Sequence, residues 1–254
     1  MKNKEKSVNR KALPKFFGIL LISALIGGVL GGVIGFTSAT SLPEQIIISI
    51  YSFLEIVTPW SILVLSVLFL GMGFAQYHSS KKLFQSWDGE DEEIISKAEE
   101  KLSWGLLFTS LNMIAALFFF GIGFQVIYIE NATLEVVLLL SFILSFVGII
   151  LLQQKIVDLT RQMNPEKQGS IYDSKFHKKW LDSCDENQQR QIGQAAYKAF
   201  MAVNTTCMIL WVALVLITLV FDIGILPFFL VTLIFGVNQT VYTLECIRLG
   251  RHKK

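Results

Sequence analysis

Motifs of common enzyme families are missing from this sequence. It contains no HExxH zinc motif, no GxSxG nucleophile elbow and no GxxxxGKS-type phosphate loop. Histidine is rare, and His78, His177 and His252 all lie in or beside charged stretches. Because no nucleophile is paired with a base and no metal-ligating cluster occurs, we expect neither enzymatic activity nor a metal or cofactor.

Cysteine and charge are also scarce. The three cysteines are Cys184, Cys207 and Cys246. None falls in a predicted external loop, so the sequence gives no sign of an exported disulfide. Charged residues make up only 17% of the chain while hydrophobic residues make up 53%, a composition that excludes an ordinary soluble domain.

Long uncharged stretches predict an all-α integral membrane protein with six transmembrane helices. Each stretch is long enough to cross a hydrocarbon core of about 30 Å. The predicted spans are about 16–38, 59–77 with a lead-in helix from 43, 104–129, 133–153, 199–221 and 226–247.

The first span has one competing interpretation, a cleaved signal peptide, because basic residues precede it and Ser38 and Ala39 end it. Its length favours a retained span. Gly27, Gly31 and Gly35 recur at four-residue spacing, which would let another helix approach closely.

Lysine and arginine are confined to one side of the predicted membrane. Six precede the first span, four lie in the loop 78–103, eight lie in the loop 154–198 and four follow the last span, which accounts for all 22. The positive-inside rule therefore predicts that both loops and both termini are cytoplasmic.

An internal repeat is predicted from two segments that align without a gap. Residues 81–117 and 178–214 share ten of 37 positions at a constant offset of 97. Each segment contains a cytoplasmic stretch followed by a span. We interpret the unit as a duplicated helical hairpin whose two copies run parallel.

The most distinctive residues lie in the two predicted cytoplasmic loops. Each repeat combines a Lys-Lys step with a nearby tryptophan, which is typical of a segment at the inner leaflet. Docking against the inner ends of the spans is an equally open interpretation. Residues 183–186 have the spacing of a helix capping box. The candidate residues for docking a partner or lipid are Lys81, Lys82, Trp87, Asp88, Lys178, Lys179, Trp180 and Asp185.

A few polar residues lie within the predicted spans. Interhelical hydrogen bonds would explain them, and a substrate path is the alternative. These candidates are Asn112, Asn204, Asn238 and Gln239. At the inner ends, Asp158 with Arg161 and Glu245 with Arg248 have the spacing of solvated helix-surface pairs.

Glu55 lies upstream of the second span and raises the question of its depth. As one helix, 43–77 would be about 52 Å long, more than a bilayer core can hold without strong tilt. Thr58 and Pro59 suit a helix start, which predicts that the span begins there. Glu55 then lies ionised at the outer boundary, and a midplane ion or proton site is the alternative.

Several of the loop stretches carry a family resemblance. WDGEDEE (87–93), LQQKIVDL (152–159), NPEKQGSIYD (164–173) and KKWLDSCDE (178–186) resemble signature stretches of a family of multi-pass membrane proteins. That family occurs mainly in Gram-positive bacteria and is described as a domain of unknown function. The resemblance covers nearly the whole chain and implies a bacterial plasma-membrane location. It implies no catalytic residues.

The position of these features favours a role in interaction. Transporters usually place their unusual residues near the midplane, often on broken helices. Here only Pro59 and Pro227 interrupt apolar segments, and both lie near an outer end. We expect a non-enzymatic regulatory, accessory or immunity-type protein that docks a partner through its cytoplasmic loops. The alternative is a small-solute or peptide transporter.

Membrane lipid and a cytoplasmic or membrane protein are the expected partners. No nucleic-acid partner is expected, and the sequence carries no signal for an oligomeric state.

Overall fold

The computed structural model describes residues 18, 42–126, 132–218, 221 and 223–251. Over these residues the chain forms six helices and no strand, which confirms the all-α class. The helices are α1 (Leu42–Gln85), α2 (Glu92–Val126), α3 (Ala132–Met163), α4 (Phe176–Asp182), α5 (Glu186–Thr218) and α6 (Leu226–Arg251).

All the helices except α4 are long and apolar enough to cross a membrane, which gives 5 candidate spans among the described residues. They cover the predicted second to sixth spans. The first predicted span, 16–38, lies outside the described residues except for Gly18, and so do the glycines at four-residue spacing.

Helix α1 corrects the prediction that a helix begins at Thr58. The helix runs over 44 residues without interruption and contains Pro59 in its interior. Proline removes one backbone hydrogen bond, a loss that tertiary packing can offset. Thr58 and Pro59 are both fully buried, and the Ser61 hydroxyl donates to the Val57 carbonyl at 2.8 Å. Burial of both side chains therefore keeps α1 continuous through a position where local preference alone favours a helix start.

The chain divides into two compact units, 49–192 and a second one formed by 1–48 and 193–254. In the first, which we call the three-helix unit, α1, α2 and α3 pack in antiparallel order. Its core has two clusters. One is built on Ile62, Ala116 and Leu138, and the other on Leu102, Leu152, Ile156 and neighbouring side chains.

Two glycines let α1 and α2 approach each other closely. A Cβ built on Gly73 would lie 3.6 Å from the Gly105 carbonyl oxygen, and one built on Gly105 would lie 3.6 Å from the Gly73 oxygen. Leu152 and Ile156 of α3 close over the same crossing. The three helices therefore meet tightly at this level.

In the second unit, α5 and α6 form an antiparallel pair. The Asn238 amide donates to the Asn204 side-chain oxygen at 2.9 Å, and the Phe200 and Tyr242 rings stack with centroids 4.2 Å apart. Pro227 lies in the first turn of α6, as predicted. Most side chains of the pair are exposed, a pattern that suits helices surrounded by lipid.

Candidate docking site on the charged loops

The first charged loop, residues 86–91, connects α1 to α2. Lys81 and Lys82 precede it in the last turns of α1, and both are exposed. The half-buried Trp87 stacks on Phe84 with ring centroids 6.2 Å apart. Its indole nitrogen is buried and has no hydrogen-bond partner among the described residues. This tryptophan therefore packs on the end of α1, and its ring does not stand free as a docking side chain.

Asp88 shapes the turn of this loop. Its carboxylate accepts hydrogen bonds from the Glu90 and Asp91 amides at 3.1 and 3.3 Å, and these bonds lower the pKa of Asp88. The helix itself is capped three residues later, where Asp91 accepts from the Glu93 amide at 2.8 Å. Asp88 thus fixes the loop, while Asp91 begins α2.

The second charged loop, residues 164–185, contains the short helix α4. Lys178, Lys179 and Trp180 all lie on α4. The Lys179 ammonium lies 2.5 Å from the Asp173 carboxylate, while Lys178 is exposed and forms no ion pair with a described residue. The two lysines therefore have different roles, since Lys179 forms an ion pair within the loop and Lys178 is exposed.

The Lys179 contact also tunes Asp173. It lowers the pKa of Asp173, and a hydrogen bond from the Lys175 amide adds to the shift. The ionised carboxylate therefore stabilises the loop above its ordinary pKa of 3.8. That contribution is lost as the pH falls through the lowered pKa of the folded state.

Lys167 forms an internal anchor that the sequence analysis missed. Its side chain is only 6% exposed. The ammonium lies 3.1 Å from the Cys184 sulfur, donates to the Gln188 side-chain oxygen and lies 6.0 Å from the centre of the Trp180 ring. Lys167 therefore joins the start of the loop to the α4–α5 turn. Its position among seven other basic residues of the predicted loop 154–198 gave no signal of burial.

The capping box of α5 lies two residues later than predicted. The Gln188 amide donates to the Asp185 carboxylate at 2.7 Å, and the Asp185 amide donates back to the Gln188 side chain at 3.3 Å. The predicted cap, Ser183, is engaged elsewhere, because its hydroxyl donates to the Trp180 carbonyl at 2.8 Å. Ser183 belongs to the end of α4, so Asp185 takes the capping position.

The two candidate groups are ordered separately. No hydrogen bond or ion pair between described residues joins the first group (Lys81, Lys82, Trp87, Asp88) to the second (Lys178, Lys179, Trp180, Asp185). Each group is fixed by contacts within its own loop. What they share is exposed positive charge, carried by Lys81, Lys82 and Lys178.

Three polar residues of the three-helix unit, one from each helix, form one buried cluster. The Ser66 hydroxyl lies 2.8 Å from the Ser145 hydroxyl and 3.1 Å from the Asn112 side-chain oxygen. The Asn112 amide donates to the Ser145 hydroxyl at 3.1 Å. Below it on α3, Gln153 donates to the buried Thr109 hydroxyl at 3.2 Å. These groups bind one another across three helices, which is how membrane bundles satisfy polar side chains.

The remaining predicted polar residues occupy different environments. Gln239 is half-buried on α6, next to the bonded Asn238. Glu55 is exposed on α1, one turn before Pro59. Arg248 pairs with Glu245 at 3.5 Å on the surface of α6. Asp158 and Arg161, both exposed, form no such ion pair within the described part of α3.

Comparison with known proteins identifies the chain at the level of family. No curated protein and no solved structure matches it. A family described as a protein of unknown function (DUF3169) matches residues 10–246. The match covers both charged loops and all five candidate spans almost to the end of α6. The chain therefore belongs to the DUF3169 family.

Proposed function

We propose that this protein is a non-enzymatic membrane protein that docks a protein partner through its two charged loops. A regulatory, accessory or immunity-type role fits this arrangement. The observation that carries the proposal is the division of polar groups. The buried Ser66–Asn112–Ser145 cluster of the three-helix core is bonded within itself, while Lys81, Lys82 and Lys178 are exposed without an ion pair to a described residue. Exposed charge on an ordered loop favours recognition of an acidic surface.

The proposed setting is the plasma membrane of a Gram-positive bacterium, with six spans and both termini in the cytoplasm. The one-sided distribution of lysine and arginine supports this orientation. It places the charged loops where a cytoplasmic partner, or the cytoplasmic face of a membrane partner, can reach them.

The proposed duplication has partial local support. Helices α1 and α4 end at Gln85 and Asp182, which are separated by the same offset of 97 as the sequence match. Helix α5 begins at Glu186, three residues earlier than the counterpart of the α2 start at Glu92. The matching ends of α1 and α4 therefore support a common origin of the two segments. The different starts of α2 and α5 make the connection before α5 shorter than the one before α2.

The docking proposal predicts a selective loss of binding when the exposed charges are reversed. A partner protein should co-purify with the wild type in mild detergent. We expect the amount recovered with the double variant Lys82→Glu/Lys178→Glu to be at least about tenfold lower, since negative charges repel an acidic partner. Quantitative mass spectrometry of the purified complexes provides the measurement. The control Lys155→Glu reverses an exposed lysine on α3, outside the loop residues 86–91 and 164–185. Equal losses in both variants would contradict a specific docking surface.

A transporter is the second candidate, and the Ser66–Asn112–Ser145 cluster is the observation that favours it. Polar groups inside a membrane bundle mark substrate paths in many transporters. Complementation of a deletion strain separates the two candidates. Docking predicts that Asn112→Leu complements and that Lys82→Glu/Lys178→Glu does not, whereas transport through the bundle predicts the reverse.

Membrane orientation makes a prediction that is independent of any partner. In a background without native cysteines, labels at Glu55→Cys, Asn131→Cys and Ile223→Cys should react with an impermeant maleimide added outside intact cells. Labels at Glu90→Cys and Asn187→Cys should react only after the membrane is opened. Reaction at 90 in intact cells would contradict the orientation. No reaction at 55 from outside, with 223 reactive, would place Glu55 within the bilayer.

A further inference from the structure

A groove between α1 and α2 changes from aromatic to charged along its α2 side. It has a volume of about 590 Å³ and is lined by Gln76 and Leu83 of α1 and by Lys97, Glu100, Lys101, Trp104 and Phe108 of α2. The α2 residues recur every three or four positions and so form one face of that helix. Phe108 lies about 16 Å along the helix axis from Lys97. An amphiphile with a charged head and an apolar tail would match this gradient.

The charges at the polar end leave one cation available. Lys97 pairs with Glu93 at 2.6 Å, and Glu100 is exposed beside it. Lys101 lies deeper, is partly buried and forms no ion pair with any residue that the structure describes. Gln76, on the facing side of the groove, carries an amide that can donate hydrogen bonds. The polar end therefore offers an ammonium and an amide to an anion.

The apolar end has the chemistry of a membrane interface. Trp104 and Phe108 lie with ring centroids 6.3 Å apart, and Trp104 is 48% exposed. Tryptophan is favoured at the level of lipid headgroups, and lysine side chains extend toward the same level. The lysine-rich end of α2 thus falls where anionic lipids of the inner leaflet would present their phosphates.

We propose that this groove binds an anionic phospholipid, with the phosphodiester at Lys101 and an acyl chain along Trp104 and Phe108. The inference depends on α1 and α2 crossing the membrane, and it is independent of the proposed protein partner. A soluble anion would leave the aromatic part of the groove empty. A phospholipid pairs its phosphate with the Lys101 ammonium and covers the Trp104 and Phe108 rings with its acyl chain.

The duplicated segment supplies a matched control. Lys198 is the counterpart of Lys101 at the offset of 97, but Met201 and Thr205 stand where α2 has Trp104 and Phe108. Lys101→Gln and Lys198→Gln remove the same charge at the same predicted depth. Only the first removes a lysine from the groove.

Native mass spectrometry of the purified full-length protein tests the proposal. The protein is mixed with equal amounts of phosphatidylglycerol and phosphatidylcholine in detergent, and retained lipid is counted. We expect the wild type to retain phosphatidylglycerol preferentially. Lys101→Gln should weaken that retention about fivefold, the contribution of one lysine near an anionic surface, while Lys198→Gln should not. Phe108→Ala should weaken retention of both lipids.

Three results would overturn the proposal. Equal retention of the two lipids by the wild type would show that the groove does not select an anionic headgroup, and would leave it to a protein segment or to solvent. Equal losses in Lys101→Gln and Lys198→Gln would indicate diffuse attraction without a site. Displacement of the lipid by excess inorganic phosphate would identify a site for free phosphate. Equal thermal stability of the two lysine variants shows that both are folded.

Discussion

Replacing Gly73 by leucine should lower the free energy of unfolding of the three-helix unit by about 1–3 kcal/mol, the usual cost of an added side chain in a packed core. A Cβ at this position would lie 2.7 Å from a methyl carbon of Leu152. Leu152 is 0% exposed and belongs to a core cluster, so any shift of its methyl group has to be taken up by its neighbours in the core. The rest of the leucine side chain would separate α1 from α2 where Gly73 faces Gly105.

Gly71 is a matched control for this substitution. It lies two residues away on α1, and a Cβ built there meets nothing within 4 Å. Gly71→Leu removes a flexible residue from the same helix and adds the same side chain, but the side chain faces outward. We therefore expect its effect on the free energy of unfolding to stay within about 0.5 kcal/mol.

Thermal unfolding of the purified protein in detergent measures the difference between the two variants. Each kcal/mol should lower the Tm by about 2–4 °C for a chain of this size. The midpoint is read from the loss of the monodisperse peak in size-exclusion chromatography after heating. A Tm for Gly73→Leu equal to that of Gly71→Leu would show that α1 and α2 do not approach at this level.

The long apolar segments could be predicted from the sequence because their signal is a sum over many residues. Five of them overlap long helices, since no single side chain decides whether about 20 apolar residues form a span. Individual helix ends were less predictable. Thr58 and Pro59 have the local chemistry of a helix start, but burial of both side chains keeps α1 continuous.

Side-chain partners depend on contacts between distant parts of the chain, which a local pattern does not contain. Asn112 was recognisable as a polar residue in a span, but its partners Ser66 and Ser145 lie on other helices. Ser183 had the spacing of a helix cap, yet its hydroxyl donates to the Trp180 carbonyl at the end of α4. The exposure of Lys81, Lys82 and Lys178 was easier to predict, because a lysine in a polar segment is usually exposed whatever its neighbours are.

The contacts of Lys167 could not be predicted from the sequence either, and removing them should have a large effect on the second charged loop. The sequence presents Lys167 as one of eight basic residues in a charged loop, whereas the structure buries it against Cys184 and Gln188. Removing its side chain leaves the Gln188 oxygen without this donor and opens the space beside the thiol. A lost hydrogen bond to a charged group in a buried position costs about 1–3 kcal/mol.

Because this cost is local, it should appear as exposure of the Cys184 thiol. In a background with Cys207→Ala and Cys246→Ala, Cys184, which is 8% exposed in the wild type, should react slowly with a chromogenic disulfide. Lys167→Ala should raise that rate by roughly 5–150-fold, the factor that corresponds to 1–3 kcal/mol of easier local opening. Lys167→Met keeps most of the apolar stem and should give a smaller increase, which separates packing from the hydrogen bonds of the ammonium.

An exposed lysine of the same loop completes the experiment. Lys175→Ala removes the same number of side-chain atoms from a residue whose ammonium contacts no described group, so the Cys184 rate should stay within about twofold of the parent. Stopped-flow absorbance of a chromogenic disulfide gives the rates directly. If Lys167→Ala and Lys175→Ala react alike, then Lys167 does not hold the loop to the α4–α5 turn. If only Lys167→Ala reacts quickly, the anchor fixes the second charged loop, including the exposed Lys178 on which the proposed docking depends.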